Sequence, residues 1–426
     1  MNFNQLGLNE SLLKALEKLN YQQPTDIQLK SIPVVLQGRD ILASAQTGTG
    51  KTASFALPLM QLLDPKPRAN GNQAKSLILA PTRELALQIF ENIQEYGQFL
   101  RLRTTVVYGG VKINPQMMRL RNGTEILIAT PGRLLDLMQQ RAIRFDQLEY
   151  LILDEADRMF DMGFINDIRR ILSALPQRRQ TLLFSATFPK EVKELAQKFL
   201  KDPVEISVSP ANQTATTVTH MMHPVDKAKK TELLSHLIRS QQWPQALIFS
   251  KTKHGANKLV KKLAEDGITS IAIHGDKSQS QRVKALQEFK QGGVRYLIAT
   301  DIAARGIDID DLSLVVNFDL PQVPEDYVHR IGRTGRAGKT GRAISFVSAD
   351  EFLCLKQIEK ITQKMIPRED VEGFEATQIV PSSANPNALK RKVAQKWEQK
   401  RNQHSKPNGQ RRQGNGNANG SRKVER

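Results

Sequence analysis

Ala45-Gln-Thr-Gly-Thr-Gly-Lys-Thr52 follows an apolar β-rich run at 40–45 and opens a stretch of helical periodicity. Small residues between a strand and a helix let backbone N–H groups curl around an anion, and the helix start adds its positive end. In this setting Ala45, Gln46, Thr47, Gly48, Thr49 and Gly50 form a loop that cradles phosphates. Lys51 reaches β- and γ-phosphate oxygens, and Thr52 ligates Mg²⁺. Ala45 stands where a first glycine is usual. Strand, phosphate loop and helix in this order predict an α/β fold built on a parallel sheet flanked by helices.

The surrounding sequence repeats that alternation. Further short β-rich runs lie at 76–80, 104–108, 125–129, 150–154 and 181–185, with helix-like segments such as 83–99 and 133–140 between them. Tyr150-Leu-Ile-Leu153 is continuously apolar, as a parallel strand covered on both faces must be. Residues 209–217 are small and polar and read as a linker. The pattern then restarts with runs at 246–250, 270–274, 296–300, 314–318 and 343–347. The predicted division is a first domain at 1–208, a linker at 209–217, a second domain at 218–368 and a basic tail at 369–426.

Asp154-Glu-Ala-Asp157 ends the run at 150–153, where ligand chemistry collects in an open parallel sheet. Asp154 is placed to hold Mg²⁺, and Glu155 to orient or deprotonate an attacking water. Upstream, Tyr21-Gln-Gln-Pro-Thr-Asp-Ile-Gln28 offers an aromatic ring and an amide. An amide both donates and accepts, the complement of an adenine edge, and Tyr21 with Phe3 can cover the base. The second half carries no phosphate loop. Its densest motif is His329-Arg-Ile-Gly-Arg-Thr-Gly-Arg336, in which Arg333 and Arg336 can reach a γ-phosphate held by the first half. One half binds nucleotide and the other completes the site.

Charge points to a polyanionic partner: 62 Lys and Arg against 43 Asp and Glu leave +19 over 426 residues. Twelve Lys/Arg against two Glu fall within 389–426, a segment too polar to form a core and expected to be a disordered tether. The lone Cys354 excludes an internal disulfide. No apolar run approaches the ~18 residues of a membrane span. The N-terminus shows no leader, so a cytoplasmic location without membrane attachment is expected. His220-Met-Met-His223 has no Cys or carboxylate companion and reads as strand residues rather than metal ligands.

Taken in order, these motifs resemble the DEAD-box RNA helicases of superfamily 2 over about residues 3–350. The series also includes Pro81-Thr-Arg-Glu-Leu85, Gly109-Gly110, Thr130-Pro-Gly-Arg133, Ser185-Ala-Thr187, Gln279-x-x-Arg282 and Thr300-Asp-Ile-Ala-Ala-Arg-Gly-Ile-Asp308. The stretch Gly109-Gly-Val-Lys-Ile-Asn-Pro-Gln-Met117 looks most like the bacterial RhlE-type branch. The resemblance implies two RecA-like domains, ATP and Mg²⁺ as cofactors, and RNA bound across both domains without regard to sequence. It places Asp308 at the ribose and His329 beside the water with Glu155 and Arg333. Arg83, Gly110, Thr130 and Arg133 line the RNA path on the first domain, and Thr252, Arg282 and Thr300 on the second. Asp157, Ser185 and Thr187 couple the site to closure. Expected activity is local unwinding of short duplexes and remodelling of ribonucleoproteins such as ribosomal precursors or RNA-decay complexes. The alternative is an ATP-gated RNA clamp.

Overall fold

A computed structural model of the chain describes residues 2–45, 49–208, 218–304, 309, 312–335, 340–378 and 380. The apolar runs need cover on both faces, and two parallel sheets provide it. The first contains β1 (Ile41–Ser44), β2 (Ala74–Leu79), β3 (Thr104–Val107), β4 (Thr124–Ala129), β5 (Tyr150–Leu153), β6 (Gln180–Ser185) and β7 (Val204–Ser207). Its order is β3-β4-β2-β5-β6-β1-β7. The second contains β8 (Val218–Pro224), β9 (Ala246–Phe249), β10 (Ser270–Ile273), β11 (Tyr296–Ala299), β12 (Leu314–Asn317) and β13 (Gly341–Val347), in the order β10-β11-β9-β12-β13-β8. All these pairings are parallel.

Successive side chains in a strand point to opposite faces. Ile78, Ile128, Ile152 and Phe184 accordingly join one hydrophobic layer, and Leu79, Leu127, Leu153 and Leu183 the other. The second sheet divides the same way, with Ile248, Ile298 and Val316 on one face and Leu247, Leu297 and Val315 on the other. The chain therefore forms two tandem RecA-like domains, each a parallel sheet flanked by helices. Parallel pairing brings the loops that follow β1, β2, β4, β5 and β6 to one edge of the first sheet, where the chemistry lies.

Both sheets are one strand wider than the apolar runs indicated. In β7 only Ile206 is fully buried, as befits an outer strand. β8 hides its strand character behind two His and two Met. His220 Nδ1 lies 3.0 Å from the Tyr327 hydroxyl and His223 Nδ1 2.7 Å from the Glu369 carbonyl, so the two rings serve separate partners.

The tail segment begins with packed residues. Met222 N donates to the Pro367 carbonyl at 2.8 Å and Glu369 N to the Met222 carbonyl at 3.0 Å, covering the β8 edge. Phe374 packs at a tilt against His236, Thr377 N donates to Asp226 Oδ1 at 3.0 Å, and Val380 is buried beside Arg368, whose guanidinium reaches its carbonyl. Residues 369–378 and Val380 thus belong to the second domain's packing, beyond the boundary drawn at 368. The linker 209–217 and the rest of the tail lie outside the described residues. Among the described residues no helix is long and apolar enough to cross a membrane. Cys354 is half-buried on the helix Phe352–Thr362, and its Sγ donates to the Pro321 carbonyl at 3.0 Å.

Candidate active site between the two sheets

Lys51 opens the helix Lys51–Leu63 just after β1. Its side chain is 6% exposed, and Nζ makes no hydrogen bond within the described residues, with Asp154 Oδ1 3.8 Å away. A buried ammonium without a hydrogen-bond acceptor is costly unless an anion is bound against it. Asp154 sits just past β5, and burial first, with Glu155 and Asp157 adding repulsion, pushes its carboxyl up to about 6 despite the opposing pull of Lys51. Such a carboxylate gains from a cation. The pair fits a polyphosphate with a divalent ion: Lys51 and the N–H groups at the helix start would meet phosphate oxygens, and Asp154 and Thr52 would offer metal ligands.

Gly50 has φ +88°, and a Cβ there would collide with the Gln28 amide. Gln28 Nε2 donates to the Gly50 carbonyl at 3.1 Å, and its Oε1 accepts from Thr25 N at 2.9 Å. Each end of the amide makes one bond inside the chain, so Gln28 braces the phosphate loop and keeps a second N–H and a second lone pair. Tyr21 is partly exposed, packs edge-on against Phe3 and hydrogen-bonds Tyr96 between hydroxyls at 3.0 Å. Ala45 is buried and donates its N–H to the Ser185 carbonyl. Thr49 and Thr52 flank the helix start. Gln46, Thr47, Gly48, Asp308 and Arg336 lie outside the described residues.

Glu155 adopts φ +51°, a left-handed conformation that a glutamate takes only at a cost. That turn caps the helix Ala156–Asp161 and leaves the buried Glu155 carboxylate 3.5 Å from Arg158 Nε. Asp157 accepts from Thr187 N at 2.8 Å and Thr187 Oγ1 at 2.9 Å through Oδ2. Its own N–H donates to Ser185 Oγ, which in turn donates to the Thr187 carbonyl. The acidic turn and the end of β6 are one closed network, so displacement of either is felt by the other.

The basic residues assigned to RNA divide into two kinds. Arg133 donates to the Val111 carbonyl at 2.8 Å, while its buried Nε and Nη1 find no hydrogen-bond acceptor among the described residues. Thr130 begins the same helix, Pro131–Gln139. Arg83 lies over Gly110, where φ is +79° and any Cβ would strike the guanidinium. Thr252 caps the helix Lys253–Glu265 through Gly255 N, and Thr300 ends β11 at the same edge of the second sheet. Arg282 behaves differently. Its Nη2 lies 3.0 Å from Glu84 Oε2, and Gln279 Nε2 donates to Glu84 Oε1 at 3.1 Å. Both partners are at least nine-tenths buried, so Arg282 acts here as a bridge between the halves. Sequence spacing could not pair residues 198 positions apart.

The helix Glu325–Ile331 brings the second domain's chemistry to this edge. His329 and the buried Arg333 line a small cavity with Asp301, Asp326 and Phe249, closed from the first domain by Arg158. Burial, then the Arg158 cation, lowers the His329 imidazole to about 4. Arg330, given no task by the sequence reading, is the anchor of this helix. It binds Asp301 through Nε at 2.6 Å and Nη2 at 2.7 Å, and Nη1 donates to Asn317 Oδ1 and the Asp319 carbonyl. Its guanidinium also lies over the Phe249 ring.

Comparison with known proteins identifies the family. The DEAD/DEAH box helicase family pattern matches residues 25–195, and the helicase conserved C-terminal domain matches 229–338. The DEAD-box ATP-dependent RNA helicase CshA of Bacillus cereus is 42% identical over 368 residues, 86% of this chain and 69% of that protein. Among solved structures, S. cerevisiae Dbp5 bound to RNA and ADP BeF3 is 32% identical, with a TM-score of 0.76 over 92% of this chain and 99% of that one. A DEAD box protein from Methanococcus jannaschii is 41% identical but gives 0.53 over 87% and 99%. The chain belongs to the DEAD-box ATP-dependent RNA helicases, RNA-stimulated ATPases built on two RecA-like domains.

Proposed function

We propose that this helicase hydrolyses Mg²⁺-ATP in the cleft between its sheets and uses closure of that cleft to bend RNA and open short duplexes. The observation that carries the reading is the approach of His329 and Arg333 to the Arg158–Glu155 pair across the cleft. The better superposition on Dbp5 with RNA and nucleotide, despite its lower identity, supports the same arrangement of halves. Magnesium-ATP, when bound, supplies the γ-phosphoryl group and the ion that neutralises its developing charge. Lys51, Thr49 and Thr52 hold that end with Gln46, Thr47 and Gly48, while Tyr21 covers the base and Asp308 meets the ribose. Glu155 takes the proton of the attacking water, with His329 positioning it. Arg333, with Arg336, meets charge on the transferring group. Asp157, Ser185 and Thr187 pass closure to the RNA face, where Arg83, Gly110, Thr130, Arg133, Thr252 and Thr300 contact backbone.

The RhlE-type branch rests on residues 109–117, while the relative quoted above is a CshA helicase; the branch is part of this proposal. So are a cytoplasmic location, a ribosomal-precursor or RNA-decay setting, and a tethering role for the basic tail. A strand-separation assay tests the activity: a short duplex should part on ATP addition. Long-lived RNA retention without strand release would make the protein a clamp.

Two further results follow from the cleft. The closed cleft keeps His329 neutral down to about 4, and opening, which removes Arg158 and part of the burial, moves it back toward the ordinary histidine value of 6.5. Protons therefore favour opening: closure is undiminished above about 6.5 and is lost as pH falls toward about 4. RNA affinity with a non-hydrolysable ATP analogue should weaken several-fold between pH 7.5 and 5.5, a span of about two units. His329→Asn should flatten that profile. For the bridge, a double-mutant cycle on Glu84→Gln and Arg282→Met, read in RNA-stimulated ATPase, should give a coupling of about 1–3 kcal/mol. Additive single effects would show that the bridge does no work in closure.

A further inference from the structure

The helix Lys253–Glu265 carries a charge pattern that helix stability does not explain. Ala256, Leu259 and Leu263 face the core, and His254, Lys258, Lys261 and Lys262 are exposed. Like charges three and four positions apart repel along a helix, and cations near its start oppose the dipole. Two lysines are relieved, Lys253 by Asp276 at 2.8 Å and Lys262 by Glu265 at 2.7 Å. Lys258 has no ion-pair partner among the described residues, and Lys261 shares only the field of the Glu265 carboxylate that Lys262 binds. The stripe from His254 to Lys262 runs about 12 Å, room for two or three phosphates of a single strand. It starts at the helix cap Thr252, which the proposed function places on the RNA path. The buried His274 at the end of β10 has its imidazole lowered by burial and then by Lys277, with Asp276 opposing and Lys253 and His254 adding smaller effects.

We propose that Lys258 and Lys261 form an outlying phosphate rail that holds RNA extending beyond the cleft. The inference rests on the reading of Thr252 as lying on the RNA path. It assigns these lysines affinity for length rather than a part in hydrolysis.

The test uses the full chain carrying Lys258→Ala and Lys261→Ala, with oligouridylates of about 6 and about 16 nucleotides. The rail predicts unchanged affinity and ATPase stimulation for the shorter RNA. For the longer one it predicts an affinity loss of about five- to tenfold at low salt, and a plot of log affinity against log salt shallower by about 1.4. A control pair, Lys193→Ala with Lys198→Ala on the first domain's helix Lys190–Phe199, removes equal charge and should leave both RNAs unaffected. No loss, equal loss at both lengths, or equal loss in the control would each overturn the rail. Failure of the shorter RNA to stimulate the unsubstituted chain would instead overturn the cleft reading.

Discussion

Glu155→Gln should bind ATP and RNA with near-normal affinity and lose turnover by a factor of about 10²–10⁴, the range of a single general base. On the barrier that is about 3–5 kcal/mol. The change keeps the side chain's size in a buried site and removes the atom pair that accepts the proton. It also removes a negative neighbour that now raises the Asp154 carboxyl, so the carboxylate proposed to hold the metal ionises more easily. Binding therefore has no reason to suffer. Single-turnover hydrolysis beside nucleotide and RNA binding isothermals separates the two quantities. Full ATPase activity in the variant would take the base role away from Glu155.

Arg333→Ala should lower the hydrolysis rate by about 10³–10⁵ and leave the first domain's nucleotide affinity within a few-fold, because an arginine finger acts chiefly in the transition state. Arg330 provides the contrast. Three residues earlier, it is fixed by Asp301, Asn317 and the Asp319 carbonyl, which take four of its five N–H groups. Arg330→Ala leaves Asp301 without its partner and should cost the second domain about 3 kcal/mol of stability, seen as a lower melting temperature. If Arg333→Ala melts early and hydrolyses normally, the two arginines have been assigned the wrong way round.

The sequence carried the inner strands and the ATP-side chemistry because both are local. A continuous apolar run marks a doubly covered strand, and a glycine-rich turn before Lys51 marks a phosphate loop, whatever the rest of the chain does. Two of the four edge strands were less legible, whereas β3 and β10 at the opposite edges show their apolar runs. β7 is half exposed, and β8 mixes histidine with methionine, so neither makes the apolar run that betrays an inner strand. Partners distant in sequence were hidden altogether. Nothing in Pro81-Thr-Arg-Glu-Leu85 announces that Glu84 meets Arg282, or that Tyr21 at one end and Tyr96 at the other share a hydrogen bond. Gln28 was read by its chemistry, an amide suited to adenine; the fold adds that its Nε2 also ties the helix start to Gly50 of the phosphate loop while its Oε1 caps its own helix at Thr25. A side chain's capacity is written in the sequence; its partner is written in the fold.

The central claim is that closing the two halves on RNA assembles the hydrolytic site. Titrating RNA into the full chain at saturating ATP tests it most directly. The account predicts that kcat rises from a low basal value to a plateau, and that in Arg333→Ala it stays near the basal rate across the titration. A kcat that is already maximal without RNA, and flat as RNA is added, would contradict it.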